Sequence, residues 1–370
     1  MLTFDLKPDM LFEERNRQFA AWGIPWSVIR RMQARISSCW GEGDGGWCWE
    51  WIQEAKAAER QRRFLLASML YGAARFPCIN SPVREYALKC QVACFERASH
   101  SFFLQFQRRS IMCPDMASPV PVHIYAPNCS KDLPLVLLSG GVDTGKMELH
   151  RLACLLAWVG RFRVAAVDMP GTAESGVLLN VDANRYYQSL LDSLAPVGPK
   201  AMLGISFGGH WSAKLGLLNG VDAAVNLGGP TVVFESGSRF VHTLPNGMPG
   251  IIANALGLSH MPGDQELASL MQPFSLRHQG LLEQYGSAPI LVINGESDQY
   301  IPQEDSTILI RRPNDQVWLM RGMTHCAVEG LPRILPALIA WLRMQLYGES
   351  QATRAALSLT KLVLPPRLKQ

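Results

Sequence analysis

Long apolar runs are missing from this sequence of 370 residues. No stretch reaches the roughly 18 consecutive apolar residues from which a membrane-spanning helix is built. The first residues, MLTFDLKPDMLFEERNRQF, include acidic side chains where a secretory signal has a basic start and an apolar centre. We therefore expect a protein of the cytoplasm with no membrane partner.

Excess charge of either sign is scarce as well. The formal net charge is only +4, and short basic clusters such as Arg60, Arg62 and Arg63 lie among apolar residues, as on the solvated face of a helix. Proteins that bind nucleic acids usually gather their basic residues into a patch. The composition therefore argues against a nucleic-acid partner.

Spacings typical of metal sites and disulfide frameworks are also missing. The nine cysteines are odd in number and irregularly spaced, and Cys90 and Cys94 lie four apart with no histidine pair nearby. Reduced, buried thiols are the expected state. We predict no metal and no cofactor.

The first part of the chain, residues 1–110, is predicted to be a helical, cap-like domain. Apolar residues recur there at three-and-four spacing over 12–22, 27–40, 49–73 and 81–107, which is typical of helices with one buried face. Six tryptophans of this part either pack the helical layer or contact a ring-bearing substrate: Trp22, Trp26, Trp40, Trp47, Trp49 and Trp51.

Residues 111–348 have a different pattern, in which short apolar runs alternate with helical segments. The predicted strands are 120–125, 135–138, 163–167, 201–203, 223–227, 290–293 and 317–320, and a helix over 331–346 follows them. Such runs favour an α/β fold with a doubly wound, mostly parallel sheet covered on both faces. The long segment 231–287 is predicted to be a lid-like insertion. The tail, 349–370, has no strong pattern.

Gly204-Ile205-Ser206-Phe207-Gly208 is the central motif. This Gly-x-Ser-x-Gly pattern follows a predicted strand and opens a predicted helix, as a nucleophile elbow does. Ser206 is the candidate nucleophile, with a plain turn serine as the alternative. The amide of Phe207, at a helix N-terminus, is expected to face a developing oxyanion.

Two further residues follow later strands in the order Ser, acid, His that this fold uses. Asp298 comes after the strand over 290–293, and His325 after the strand over 317–320, so both are expected at the same rim as Ser206. Asp298 as a helix N-cap and His325 as a loop histidine remain alternatives. Glu235, after the preceding strand, is the rival acid.

The loop Ser139-Gly140-Gly141-Val142-Asp143-Thr144-Gly145-Lys146 is expected to supply the second oxyanion donor. Its paired glycines permit backbone amides to face the site, and either Gly141 or Val142 is the donor. Asp143 and Lys146 of this loop, together with His210 on the nucleophile helix, are candidates for substrate contact.

Four features together resemble one branch of the α/β-hydrolases: the Gly-Gly-x-Asp-x-x-Lys loop, the turn Asp168-Met169-Pro170-Gly171-Thr172, the Gly-x-Ser-x-Gly-Gly elbow and the helical N-terminal part. This branch contains the fermentation–respiration switch protein, the dihydroxypseudooxynicotine hydrolase and polyketide-shortening hydrolases. The resemblance covers roughly residues 15–345 and implies an α/β-hydrolase fold with helices packed over the site. It also implies either ester or carbon–carbon bond cleavage.

The sequence thus predicts a serine hydrolase that cleaves a small apolar or aromatic acyl compound through an acyl-enzyme. The bond is an ester or the carbon–carbon bond of a β-diketone or polyketide-like substrate. An acyltransferase or thioesterase of a biosynthetic pathway is the alternative, followed by a non-catalytic regulatory protein. A homodimer is expected from the apolar content and the helical N-terminal part.

Overall fold

The computed structural model describes residues 2–363 except 114, 115, 117, 129–132, 196, 246 and 285. The helices are α1 Pro8–Trp22, α2 Trp26–Arg35, α3 Trp47–Arg60, α4 Phe64–Arg75, α5 Pro82–Ser99, α6 His150–Trp158, α7 Asn184–Leu194, α8 Phe207–Leu217, α9 Ser238–Thr243, α10 Met248–Ala255, α11 Asp264–Met271, α12 Gln303–Thr307, α13 Leu331–Tyr347 and α14 Gln351–Val363. The strands are β1 Gln105–Ile111, β2 Val120–Ala126, β3 Leu135–Ser139, β4 Arg163–Val167, β5 Lys200–Ile205, β6 Ala223–Leu227, β7 Ile290–Gly295 and β8 Gln316–Met320.

The eight strands form one sheet in the order β1-β2-β4-β3-β5-β6-β7-β8. Strands β4, β3, β5, β6, β7 and β8 run parallel to one another, whereas β2 pairs antiparallel with both β4 and β1. All seven predicted strands are present, so the expected mostly parallel sheet is confirmed. Since parallel strands end at one rim, the loops after β3, β5, β7 and β8 can meet there.

Helices cover both faces of the sheet. Alternate residues of a strand point to opposite faces, so each strand contributes side chains to two cores. Val136 and Leu138 of β3 pack with Trp341 of α13 in one core. Leu135 and Leu137 pack in the other core, which also contains side chains of α7, α8 and the N-terminal helices. The strands are therefore apolar on both faces, which explains their continuous apolar runs.

The N-terminal region differs from the prediction at three places. The helix expected over 27–40 ends at Arg35. The helix expected over 49–73 is two helices, because Arg62 adopts a left-handed φ of 59° between α3 and α4. The helix expected over 81–107 ends at Ser99, and β1 begins at Gln105. Strand β1 was missed because it is an edge strand, QFQRRSI, with polar residues and one buried side chain at its end.

The segment 231–287, predicted as a lid, folds into α9, α10 and α11 with two short 3₁₀ turns, Val233–Ser236 and Gln272–Phe274. Several of its apolar side chains belong to the core that includes α8, among them Phe234, Ile251 and Phe274. Whether this segment moves, and the domain bounds 1–110, 111–348 and 349–370, stay predictions.

The tail was expected to be without a strong pattern, and this was wrong, because α14 occupies Gln351–Val363. Ser350 and Thr353 exchange hydrogen bonds at its start, with Thr353 N–H donating to Ser350 Oγ at 3.1 Å. Thr353 and Leu357, one turn apart, are buried. No helix in the described ranges is long and apolar enough to cross a bilayer.

Candidate active site

Ser206 lies in the sharp turn between β5 and α8, with φ 54° and ψ −130°. The turn needs glycine on both sides, because backbone atoms of neighbouring segments are too close for a Cβ. At Gly204 a Cβ would lie 1.8 Å from the carbonyl oxygen of Gly208, and at Gly208 it would lie 2.4 Å from that of Gly140. The Ser206 N–H donates to Leu227 O at 2.8 Å and anchors the turn to β6.

The three residues predicted to act together do meet at the rim of the sheet. Ser206 Oγ lies 2.9 Å from His325 Nε2, and His325 Nδ1 lies 2.8 Å from Asp298 Oδ2. An ionised carboxylate only accepts hydrogen bonds, so Nδ1 carries the proton and Nε2 is left to accept from the serine hydroxyl. This arrangement lets the imidazole take the proton of Ser206.

The Asp298 carboxylate is held by two donors that sequence reasoning missed. Asn294 Nδ2, at the carboxyl end of β7, donates to Oδ2 at 2.8 Å, and the Tyr300 N–H donates to Oδ1 at 2.7 Å. Asn294 Oδ1 also accepts the Cys326 N–H at 3.0 Å. Asn294 therefore ties the acid loop to the histidine loop. A buried polar residue at the end of an apolar strand is the signal that could have revealed it.

The ring of His325 has a pKa raised well above its ordinary value of 6.5. Burial works against the charged ring, but the neighbouring Cys326 sulfur and the Asp298 carboxylate outweigh it. The Tyr300 ring also packs edge-on against this imidazole, with centroids 4.9 Å apart. These surroundings thus stabilise the charged form of the ring, as a catalytic base would require.

The expected oxyanion donors lie beside Ser206. Phe207 follows it directly and begins α8, so its N–H has no partner within the helix. The loop after β3 approaches so closely that a Cβ on Gly141 would lie 2.7 Å from the Ser206 Cβ and 3.3 Å from the Phe207 nitrogen. Val142 is buried next in the loop. Both Gly141 and Val142 stay predictions as the second donor.

Two cavities meet at Ser206 and His325. The α1-side chamber, of about 180 Å³, is lined by α1, the loop after β3 and the histidine loop, and includes Trp22, Leu149, Leu152, Val328 and Leu331. The lid-side chamber, of about 40 Å³, is lined in part by segment 231–287, which contributes Phe234, Phe240, Leu244, Met248 and Ile252. Arg15, Asp143 and Tyr300 line both chambers.

Helix α1 is fastened over the site by polar contacts. The buried Arg15 forms an ion pair with Asp143 at 3.2 Å and donates to Tyr300 Oη at 3.2 Å. Gln18 donates to Thr144 Oγ1 at 2.9 Å, and Glu14 accepts from the Tyr300 hydroxyl. Asp143 therefore lies at the site as expected, whereas Arg15 and Tyr300 were not foreseen.

The structure does not bring His210 or Lys146 to either chamber. His210 is fully buried against Phe234 and Phe274, and its Nδ1–H donates to Pro230 O at 3.1 Å. Burial and the nearby charge of Lys214 lower its pKa to about 3 despite this hydrogen bond, so the ring stays neutral. His210 packs the lid onto α8 and has no contact with the substrate space.

Lys146 is buried between two carboxylates. Its Nζ forms ion pairs with Asp168 and with Glu174, the latter at 2.7 Å, and its N–H donates to Asp168 Oδ1 at 2.7 Å. The side chain therefore fixes the loop after β3 from behind. A contact between Lys146 and a substrate is not supported by this position.

The rival acid, Glu235, faces away from the histidine. Its carboxylate accepts from Ser275 Oγ and pairs with Arg277 at 2.5 Å. Asp298 does show the alternative behaviour of a turn residue, since its Oδ1 accepts the Tyr300 N–H, but its other oxygen binds His325. The Asp298 carboxylate thus both stabilises its own turn and binds His325.

The tryptophans of the N-terminal part are mostly packing residues. Trp47 and Trp51 are fully buried in a cluster with Phe12, and Trp26 is about half exposed. Trp22 alone of the six lines the α1-side chamber. Within the described ranges, no group of three or more His, Cys, Asp or Glu side chains could hold a metal ion.

Comparison with known sequences supports these observations. The sequence profile of one family, described as "Esterase FrsA-like", matches residues 31–347. Esterase FrsA of Photobacterium profundum is 25% identical over 346 residues, covering 86% of this chain and 81% of the relative. Esterase FrsA of Salmonella typhi is 25% identical over 334 residues, covering 81% and 80%.

Solved structures share the architecture. AbyA5 matches with a TM-score of 0.77 and 21% identity, over 90% of this chain and 94% of its own. The 2,6-dihydroxy-pseudo-oxynicotine hydrolase matches with a TM-score of 0.69 and 18% identity, over 89% and 95%. These likenesses establish the α/β-hydrolase fold. Because the family profile spans most of the chain, the protein belongs to the FrsA-like esterase family and is a hydrolase.

Proposed function

We propose that the protein hydrolyses a small apolar or aromatic acyl compound through a covalent acyl-enzyme on Ser206. The observation that carries the proposal is the chain of two hydrogen bonds from Ser206 through His325 to Asp298, at 2.9 and 2.8 Å. Residues far apart in sequence form this chain at one rim of the sheet. The scissile bond is an ester or the carbon–carbon bond of a β-diketone or polyketide-like substrate.

In the first half of the reaction, Ser206 Oγ attacks the acyl carbon while His325 Nε2 takes its proton. Asp298 orients the ring and stabilises the imidazolium. The N–H of Phe207 and one N–H of Gly141 or Val142 bind the oxyanion of the tetrahedral intermediate. The intermediate collapses when the bond to the leaving group breaks and His325 returns the proton to that group.

In the second half, water replaces the leaving group. His325 takes a proton from water, the hydroxide attacks the acyl carbon, and the carboxylic acid leaves as Ser206 regains its proton. For a carbon–carbon substrate the leaving group is an enolate, which the same imidazolium protonates. No atom of this cycle needs a metal or a cofactor.

The test compares wild type with Ser206→Ala on two matched aromatic substrates, an ester and a 1,3-diketone, with products identified by mass spectrometry. We expect wild type to turn over at least one of them and the variant to lose about 10⁶-fold in kcat, as when a triad nucleophile is removed. A wild-type protein that cleaves neither and whose Ser206 does not react with a fluorophosphonate contradicts the proposal.

The same assay distinguishes ester cleavage from carbon–carbon cleavage. It also distinguishes transfer of the acyl group to water from transfer to an alcohol or a thiol. Loss of diketone cleavage in Ser206→Ala assigns carbon–carbon hydrolysis, whereas loss of ester cleavage alone assigns an esterase. Products that carry an added alcohol or thiol in place of water would instead indicate acyl transfer. The homodimer and the cytoplasmic location stay predictions, for which size-exclusion chromatography with light scattering and cell fractionation are the measurements.

A further inference from the structure

We infer that the substrate is divided at the scissile bond between the two chambers, with a short apolar acyl group in the lid-side chamber and a bulkier leaving group in the α1-side chamber. The inference rests on the proposed function. It assigns the choice of acyl chain to segment 231–287, and in particular to Leu244 and Met248.

The volumes of the chambers set the sizes of the two groups. An apolar cavity of about 150 Å³ holds one benzene molecule, which sets the scale. The α1-side chamber, of about 180 Å³, therefore accepts about one aromatic ring. The lid-side chamber, of about 40 Å³, is less than a quarter of that size and suits an acyl group of about two to four carbons.

The side of each group follows from the chemistry of the intermediate. The leaving group must be near the proton of His325. This ring and Tyr300 line both chambers, but the neighbours of His325 in its own loop, Thr324, Cys326 and Val328, line the α1-side chamber and not the lid-side chamber. The acyl chain receives no proton from His325, so it takes the remaining space, the lid-side chamber, which is lined by Phe207 and Val142 as well as by the side chains of segment 231–287.

The walls of the lid-side chamber specify an apolar chain. From the lid it receives only carbon and sulfur side chains, those of Phe234, Phe240, Leu244, Met248 and Ile252. Its charged neighbours, Arg15 and Asp143, are shared with the other chamber and already paired with each other at 3.2 Å. A carboxylate or ammonium on the acyl chain would lose its hydration there without gaining a partner.

Two series of esters, assayed with the wild-type protein, test how the substrate is divided between the two chambers. The first series holds the leaving group constant as phenol and lengthens the acyl group from acetyl through butyryl and hexanoyl to octanoyl. The second holds acetyl constant and enlarges the alcohol from ethanol to 2-phenylethanol, two alcohols of similar acidity. We expect kcat/KM to fall at least tenfold between butyryl and hexanoyl. In the second series we expect it to hold or rise as the alcohol grows.

Variants then assign the acyl chain to the lid. Met248→Ala and Leu244→Ala enlarge the lid-side chamber, so the ratio of hexanoyl to acetyl turnover should rise about tenfold, with the alcohol series unchanged in rank. Leu270→Ala is the matched control, because Leu270 is on the same lid but exposed on α11. It should leave both series as in wild type. Thermal melts check that each variant folds. Leu244→Ala is the milder of the two changes, because Leu244 is only half-buried.

Each outcome bears on one of the two proposals. If Met248→Ala and Leu244→Ala change the preference for the alcohol while the acyl ratio stays, the groups occupy the opposite chambers and the inference is wrong. A wild type that accepts octanoyl as well as acetyl also overturns it, even if neither variant folds. Failure to cleave any ester or diketone, with Ser206 inert to fluorophosphonate, instead removes the proposed function itself.

Discussion

Ser206 is held in a backbone conformation that a residue with a side chain rarely adopts, φ 54° and ψ −130°. Such a conformation costs about 1–3 kcal/mol and persists only where the surroundings enforce it. Here the Ser206 N–H donates to Leu227 O and the Gly209 N–H donates to Ser206 O at 2.7 Å. The strain places Oγ beside His325, which an ordinary turn would not do.

Under the proposed mechanism, the acid partner of His325 sets the pH dependence of activity. Against the effect of burial, the Cys326 sulfur and the Asp298 carboxylate raise the pKa of His325 above 6.5. Only the neutral ring takes the proton of Ser206, so kcat/KM should fall as the pH falls through this raised pKa. We predict a midpoint of the acidic limb above 6.5. In Asp298→Asn we predict a lower midpoint and a kcat reduced by about 10⁴-fold.

A pH profile of kcat/KM from pH 5 to 9 measures both effects. Glu235→Gln is the control, because this carboxylate pairs with Arg277 and lies apart from the ring. This variant should have the same midpoint of the acidic limb of kcat/KM as wild type. If Glu235→Gln shifts that midpoint and Asp298→Asn does not, Glu235 is the functional acid.

At the scale of elements, a partly buried cluster of charges joins the edge strand β1 to the loop after β3. Arg108 of β1 donates two hydrogen bonds to Glu174, at 2.7 and 2.8 Å, and Lys146 donates to the same carboxylate at 2.7 Å. Burial alone would raise the pKa of Glu174, but Arg108 and Lys146 outweigh it and lower the pKa to about 2 from 4.5. The ionised carboxylate is therefore stabilised by folding.

We predict that Glu174→Gln lowers the free energy of unfolding at pH 7 by about 3 kcal/mol. Because the folded pKa is depressed, this stabilisation is complete above about pH 4.5 and is lost as the pH falls toward 2. The difference between wild type and variant should therefore shrink by more than half at pH 3. Urea titrations at the two pH values measure it.

The matched control is Glu96→Gln, since Glu96 pairs with the same Arg108 at 3.0 Å but is about half exposed. Exposed ion pairs contribute little, so this variant should stay within about 0.5 kcal/mol of wild type. If Glu174→Gln and Glu96→Gln lower the free energy of unfolding equally, the prediction is wrong, because the more buried carboxylate then stabilises the fold no more than the exposed one.

At the scale of the whole molecule, α1 connects the helical N-terminal part to the loops that carry the site. Arg15 pairs with Asp143 after β3 and donates to Tyr300 after β7, and its side chain is only 8% exposed. Losing one member of a buried ion pair leaves the other charge without compensation. The integrity of the site therefore depends on a contact between residues 285 positions apart.

We predict that Arg15→Met lowers the free energy of unfolding by about 3 kcal/mol and kcat/KM by about tenfold. The loops that carry Asp143 and Tyr300 lose a shared partner and become less well placed. Arg17→Met, two residues away in α1, removes an ion pair with Glu329 from a side chain that is 61% exposed. It should change stability by no more than about 0.5 kcal/mol. Urea titration and ester kinetics on both variants measure the contrast, and equal behaviour would contradict the prediction.

The sequence alone determined those features whose cause is local. Buried strands need continuous apolar runs, and the elbow needs glycine where backbone segments meet, so β2 to β8 and Ser206 could be located without coordinates. The order of Asp298 and His325 after their strands then placed both at one rim. Each of these signals lies within a few neighbouring residues. The parallel sheet then brings the carboxyl ends of the strands to one rim.

Only the tertiary structure decided features that depend on which distant side chains meet. His210 and Lys146 have the residue types of substrate contacts, yet the lid buries one and Asp168 and Glu174 enclose the other. Nothing near Arg15 in the sequence indicates that it pairs with Asp143. Strand β1 escaped notice because an edge strand needs few apolar residues. The volumes of the two chambers follow from packing between segments far apart in the chain, a quantity that no local pattern encodes.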